Sequence, residues 1–357
     1  MTRLFDPLRI GNLTLPNRII MAPLTRGRTG AAGVPGPLVA KYYAQRADAG
    51  LLISEATAIN VQGRGWRNAP GIYNDAQVAG WRGVAEAVHG RGGRVFMQIW
   101  HMGRTVLPEY ANGERPVAPS EVKADGGMLD QDGNRRPFVM PRTITIPEIK
   151  ETVAGFARAA ERAVEAGMDG VEIHGANNFL VDSFLRDGTN RRKDEYGGPI
   201  ENRARFMIEV VDAVSRAIGA DRVGVRLSPT NSYFGISDSE PHVTFPDVAA
   251  LLNRFDLAYL HILESKPENG IAPVAPLIRD AYKGTLIKNG GYDQGSSSDA
   301  LAAGEADAIA FGTSFIANPD LVERFRQSLP LSEADPDTFY TEGPVGYTDY
   351  PFAKSAA

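Results

Sequence analysis

A closed (β/α)8 barrel is the fold this sequence predicts, on three observations. Short apolar segments alternate with amphipathic ones about eight times along the chain, the pattern of parallel strands separated by crossover helices. The 357 residues suit one such barrel with room for an inserted segment. No G-x-G-x-x-G follows any apolar segment, so the competing open, doubly wound sheet lacks its phosphate turn.

The predicted strands lie at 18–22, 51–55, 94–99, 170–174, 223–227, 257–262, 285–288 and 308–311. Each is short and apolar, as a strand buried on both faces must be. Helical periodicity fits 76–89, 149–166, 202–218, 298–303 and 320–327, with Gly50, Gly92, Gly93 and Gly167 punctuating the connections. The alternation breaks once, after the third strand, where 102–146 carries Pro, Gly and charge without a helical pattern. Insertions at this face of a barrel build the rim or lid of a site, and a plain surface hairpin fits the composition equally well. From Pro330 onward acidic residues lead into a stretch containing Tyr347, Tyr350 and Phe352, which can fold over the barrel mouth or cap its wall. With no internal repeat and no low-complexity linker, residues 1–357 are expected to form a single domain.

Composition narrows the class of function. Hydrophobic residues at 43% and charged residues at 23% are ordinary for a globular protein, and no apolar run is long enough to cross a bilayer. Cysteine is absent and the N-terminus has no apolar leader with a cleavage site, so a cytoplasmic setting is expected. A formal charge of −5 argues against nucleic acid or an anionic membrane surface as the main partner. Five scattered His and no Cys offer no metal-ligand spacing, so no metal is expected.

Chemistry in such a barrel sits at the C-terminal ends of the strands. There the sequence places Pro23-Leu24-Thr25, then Ser54-Glu55-Ala56-Thr57-Ala58, Gln98 to His101, His174 with Asn177, and Arg226. The seventh strand ends Lys288-Asn289-Gly290-Gly291 and the eighth Phe311-Gly312-Thr313, each setting Gly beside the start of a helix. Backbone N–H groups in these two loops commonly receive a phosphate, so a phosphorylated ligand is implied. His174 and Asn177 are two hydrogen-bond donors able to hold one carbonyl oxygen.

Taken together, these pieces resemble the Old Yellow Enzyme family, FMN-dependent ene-reductases built on a (β/α)8 barrel, over nearly the whole chain. The matching motifs are Leu4-Phe5-Asp6-Pro7, Asn17-Arg18 through Thr25-Arg26, Tyr42-Tyr43-Ala44-Gln45-Arg46, Ser54-Glu55-Ala56, Gln98 through His101, His174 through Asn177, Asn190-Arg191-Arg192, Asp194 through Gly198, and Asn318-Pro319-Asp320-Leu321. The resemblance implies tightly bound, non-covalent FMN and NADPH or NADH as reductant. Thr25 would then bond the flavin O4, and Gln98 and Arg226 would meet the pyrimidine edge. Pro23, Leu24 and Ala58 would touch the ring, Asn289 and Gly290 would also contact the cofactor, and Gly291, Gly312 and Thr313 would hold the phosphate. His174 and Asn177 would bind the electron-withdrawing oxygen of an activated alkene, with Trp66, Trp100, Phe179 and Tyr347 lining the substrate space. With no dinucleotide fold, NAD(P)H and alkene would share one pocket and alternate in it, giving ping-pong kinetics. A monomer or a homodimer is expected.

Two positions depart from the family pattern. Phe179 stands where most members carry a proton-donating Tyr, so the α-proton would come from water or from another group such as Tyr347. Thr313 stands where an Arg usually grips the FMN phosphate. Two other readings remain open at this point: a flavin-free phosphate-binding isomerase or lyase, for which Glu55 or Lys288 would be the base, and a flavin-binding protein with little turnover.

Overall fold

A computed structural model describes residues 3–264 and 270–353 of the chain. Eight parallel strands close on themselves: β1 (Ile19–Met21), β2 (Leu51–Ile53), β3 (Val95–Trp100), β4 (Gly170–Gly175), β5 (Val223–Leu227), β6 (Tyr259–Leu263), β7 (Leu286–Asn289) and β8 (Ala308–Phe311). Closure is made by β8 against β1, with Phe311 opposite Met21 and Ala310 opposite Ile20. The two-residue strand Thr57–Ala58 extends the second loop alongside Ile99 and Trp100 of β3.

The crossover helices are α1 (Pro37–Ala44), α2 (Asp75–His89), α3 (Ile146–Glu165), α4 (Arg205–Ile218), α5 (Pro241–Leu252), α6 (Ala275–Ala281), α7 (Gln294–Ala302) and α8 (Leu321–Arg326). Helix α3 starts where its sequence says it should. Thr145 accepts from the Glu148 N–H while Glu148 reaches back to the Thr145 N–H, and a proline occupies the first turn. Helices α1, α5 and α6 lie outside the five helical segments read from periodicity. Each has proline in its first turn, and α5 carries Pro246 inside, which blurs the apolar repeat.

Inside the barrel large and small residues alternate. Phe96 and Tyr259 fill the lower layer because Gly170 and Gly224 leave room: a Cβ on Gly170 would lie 2.5 Å from the Phe96 ring, and one on Gly224 2.3 Å from the Tyr259 ring. A hairpin, Leu8–Ile10 with Leu13–Leu15, seals this end by packing Leu8, Ile10 and Leu15 against Ile20, Leu51 and Ile287. The opposite end is left to polar residues.

Segment 102–146 contains two short 3-10 turns, a two-residue parallel pairing of Val117–Ala118 with Arg142–Thr143, and a hairpin of Gly127–Leu129 with Arg135–Pro137. Its Met102, Val106, Leu107, Tyr110, Met128 and Phe138 form one apolar cluster with Ala58, Trp100 and Phe179 at the mouth. The C-terminal stretch runs along the same rim, where the Tyr340 ring meets Trp66 with centroids 5.1 Å apart.

Candidate active site

His174 ends β4 with its side chain at the barrel mouth, and its immediate surroundings fix which nitrogen carries the proton. Nδ1 accepts from the Ala176 N–H at 3.3 Å, which leaves Nε2–H as the free donor. Burial, the Arg226 guanidinium and His261 all hold the ring well below the ordinary imidazole range, so it is neutral.

The chain then turns sharply. Asn177 and Asn178 both take left-handed backbone, φ 59° and 67°, a conformation asparagine tolerates better than other residues with a Cβ. Their side chains divide the work. Asn178 is tied into the scaffold: its Oδ1 accepts from Arg104 Nε at 2.9 Å and its Nδ2 donates to the Tyr233 carbonyl at 2.9 Å. Asn177 is held by its backbone N–H on Ser228 Oγ at 2.9 Å, and its Oδ1 accepts from Asn231 Nδ2 at 2.6 Å. With the oxygen engaged, the Asn177 amide presents Nδ2 as a donor.

Trp100, His174 and Phe179 form an aromatic corner. Phe179 stands edge-on to both partners with ring centroids 4.8 Å from each, and Trp100 lies 6.1 Å from His174 in a stacked orientation. Tyr347 belongs to a different cluster. Its ring stacks on Tyr42 at 4.0 Å, Arg26 and Arg28 lie over its faces, and its hydroxyl is buried without a hydrogen-bond partner among the described residues. Burial raises that phenol far above its ordinary range.

A second polar group lies deeper. Gln98 donates to Glu172 at 2.7 Å, Glu172 faces His261 Nδ1 at 2.8 Å, and Arg226 donates to Asn289 Oδ1 at 2.9 Å. Gln98, Arg226 and Asn289, three of the expected cofactor contacts, thus share one network. Arg226 Nε is buried with no partner among the described residues. Directly after Asn289, Gly290 and Gly291 take positive φ of 132° and 74°, and space around a Cβ on Gly291 is open to 4 Å. Leu24 comes within 3.4 Å of a Cβ on Gly312, so loops one and eight adjoin. Thr313 is exposed at the start of the short helix Thr313–Ala317. A buried cation with a spare donor and, further along the seventh and eighth loops, backbone lined by glycine are groups whose chemistry fits the pyrimidine edge and the phosphate of FMN.

Of the two candidate bases of a flavin-free enzyme, Lys288 is engaged elsewhere and Glu55 in part, its Oε1 being buried with no hydrogen-bond partner among the described residues. One Glu55 oxygen accepts from the Arg26 and Gly27 N–H groups, both at 3.1 Å, and shapes loop one. Ile287 faces the barrel interior, so its neighbour Lys288 faces out, where it pairs with Glu305 at 2.8 Å.

Sequence reading missed Glu172, His261 and Asn231. The first two carried a signal: a charged or titratable residue in a strand covered on both sides needs a partner at the same depth on a neighbouring strand. Asn231 sits in a loop with no such constraint.

Known proteins resemble the chain over nearly its whole length. A family model described as NADH:flavin oxidoreductase / NADH oxidase matches residues 3–332. A probable flavin mononucleotide-dependent alkene reductase of Leishmania infantum is 42% identical, over 98% of this chain and 97% of that protein. The solved Old Yellow Enzyme homologue from Zymomonas mobilis superposes with a TM-score of 0.96 at 45% identity, covering 98% of this chain and 99% of the other. Morphinone reductase in complex with tetrahydroNAD does so with a TM-score of 0.95 at 50% identity, covering 99% of each chain. The chain therefore belongs to the Old Yellow Enzyme family, as an NAD(P)H-dependent flavin oxidoreductase with FMN as its cofactor.

Proposed function

We propose that this enzyme reduces the C=C bond of α,β-unsaturated carbonyl compounds, with nitro compounds and nitrate esters as further acceptors, in a ping-pong cycle with NAD(P)H. The observation that carries the reading is the pair of donors at the mouth: His174 Nε2–H, fixed by the Ala176 N–H on Nδ1, and Asn177 Nδ2, freed by the Asn231 bond to Oδ1. Bound FMN would supply hydride from N5 to the β-carbon. His174 and Asn177 would hold the carbonyl oxygen as negative charge gathers there, and Trp100 and Phe179 would wall off water on one side. Thr25, Gln98 and Arg226 would hold the ring, and the backbone of Gly291, Gly312 and Thr313 the phosphate. The hairpin segment 102–146 would act as the rim of the same pocket, since its apolar cluster includes Trp100 and Phe179.

Water is the favoured source of the α-proton. Phe179 has no proton to give, and the Tyr347 hydroxyl is enclosed in a separate cluster and pushed far above its ordinary pKa. Phe179→Tyr is accordingly expected to speed reoxidation by 2-cyclohexenone about tenfold or more, while reduction of the flavin by NADPH keeps its rate. Stopped-flow measurement of the two half-reactions checks this, and equal reoxidation rates in the two proteins would mean that protonation does not limit turnover.

Thr313 makes a second expectation. Thr313→Arg adds a cation beside the proposed phosphate cradle, and FMN release should slow with at least a tenfold gain in affinity, since a charge-assisted bond contributes about 1.5–3 kcal/mol. Flavin retention during dilution and filtration reads the effect.

The reading as a whole is tested in one cuvette. The purified protein should be yellow, bleach under anaerobic NADPH and regain colour on addition of 2-cyclohexenone. Bleaching without recovery would leave a flavin reductase and remove the alkene from its substrates.

A further inference from the structure

Below His174 a row of hydrogen bonds crosses the barrel from β3 to β7. Glu172 lies two residues before His174, so it points into the same interior one pleat deeper. Glu172 and His261 are fully buried, and Gln98 and Arg226 nearly so. The row runs from Gln98 Nε2 to Glu172 Oε1 at 2.7 Å, then from Glu172 Oε2 to His261 Nδ1 at 2.8 Å. Arg226 Nη1 lies beside the same imidazole, 3.4 Å from Nε2 and 3.5 Å from Nδ1, and Arg226 Nη2 donates to Asn289 Oδ1 at 2.9 Å.

One member dictates the direction of the whole row. An ionised carboxylate only accepts, and a guanidinium only donates. Burial pushes Glu172 up, but His261, Arg226 and Gln98 outweigh it and leave the carboxyl below its usual range. Burial and the Arg226 charge hold His261 below the ordinary imidazole range. Neutral His261 must then carry its proton on Nδ1 toward Glu172, which leaves Nε2 without a proton. Gln98 must turn its NH2 inward to Glu172, which leaves Oε1 as an acceptor at its outer edge. Glutamine at 172 could not do this, because its amide has one accepting and one donating end for two donors.

We propose that Glu172 is a positioning residue that sets the polarity of the Gln98 and Arg226 contacts and thereby selects the flavin edge. The inference rests on Gln98 and Arg226 holding that edge. The edge offers one donor, N3–H, between two carbonyl oxygens. An acceptor locked at Gln98 Oε1 takes N3–H, and Arg226, whose buried Nε has no protein partner among the described residues, takes the carbonyl side.

The test compares FMN with 3-methyl-FMN, which lacks the N3–H. Purified holoenzyme is equilibrated with an excess of both flavins in equal amounts, and the bound flavins are released and quantified. Wild type should prefer FMN by about 10- to 100-fold, the cost of leaving one buried acceptor unpaired. In Glu172→Gln the Gln98 amide is free to reverse, and the preference should shrink at least tenfold relative to wild type, an effect that loosened packing alone does not produce. An unchanged preference in Glu172→Gln, alongside a lost preference in Gln98→Ala, overturns the role of Glu172 and leaves the site reading intact. An unchanged preference in Gln98→Ala overturns the site reading itself. If Glu172→Gln does not fold, a neutron structure of the wild-type holoenzyme decides: deuterium on His261 Nδ1 with a bare Glu172 carboxylate is the expected result, and deuterium on Glu172 or on His261 Nε2 overturns the inference.

Discussion

Replacing His174 with alanine is expected to lower kcat/KM for 2-cyclohexenone by about 10²–10³-fold, the usual loss when one preorganised donor to a developing oxyanion is removed. Asn177→Ala should cost a similar factor. The double variant should cost less than the product of the two, since both donors serve one oxygen. Asn231→Ala removes no donor to the substrate but frees the Asn177 amide to rotate, so a smaller loss is expected there. The pH dependence follows from the state of the imidazole. Burial and Arg226 lower the His174 pKa well below 6.5, so the neutral ring is the populated form on the alkaline side of that depressed value. Between pH 6 and 8 the donor is therefore constant, and alkene-driven reoxidation should show no decline as pH rises. A decline with a midpoint near 6.5 would identify the imidazolium as the donor and contradict the neutral assignment.

Arg226→Met is expected to give a colourless protein of reduced stability. Two effects combine in it. The flavin would lose the cation at its pyrimidine edge, and the carboxylate of Glu172 would lose its positive neighbour inside the barrel. Stranding a buried charge costs about 3–5 kcal/mol. Adding Glu172→Met should return only part of that stability, because it removes the stranded charge but leaves the Gln98 and His261 donors without their acceptor, and should not return the colour. Thermal unfolding and flavin content of the two variants separate the contributions. Full FMN content in Arg226→Met would remove this residue from the cofactor site.

The barrel was legible because its strands are short apolar runs with glycines between them, and the structure places 223–227 and 308–311 as strands with the boundaries read from sequence. Helix α5 was not legible: Pro246 interrupts it, and no polar stripe marks its outer face. At the site, His174 and Arg226 announced themselves by standing at strand ends. Glu172 signalled only that it needs a partner at its own depth, because the run Val171-Glu172-Ile173-His174 does not say on which strand that partner lies. Only the register of four strands, Gln98 beside Glu172 and His261 beside Arg226, shows that these residues meet. The directions in which His174 and Asn177 present their donors come from Ala176 and Asn231, and no residue-type pattern encodes them.

Loop one has an implication for biosynthesis. Arg26, next to Thr25, donates to the carbonyls of Phe339 and Gly346, the latter 320 positions further along the chain. Arg28 holds Phe339 and Thr338 as well, and the strand before this loop pairs with β8. The segment that presents Thr25 is synthesised some 320 residues before Gly346, one of its partners. At 5–20 residues per second that interval is on the order of tens of seconds, during which β1 keeps an open edge. A nascent chain stalled before Phe339 would lack the carbonyls that hold Arg26 and Arg28, and loop one would wait for them to be organised.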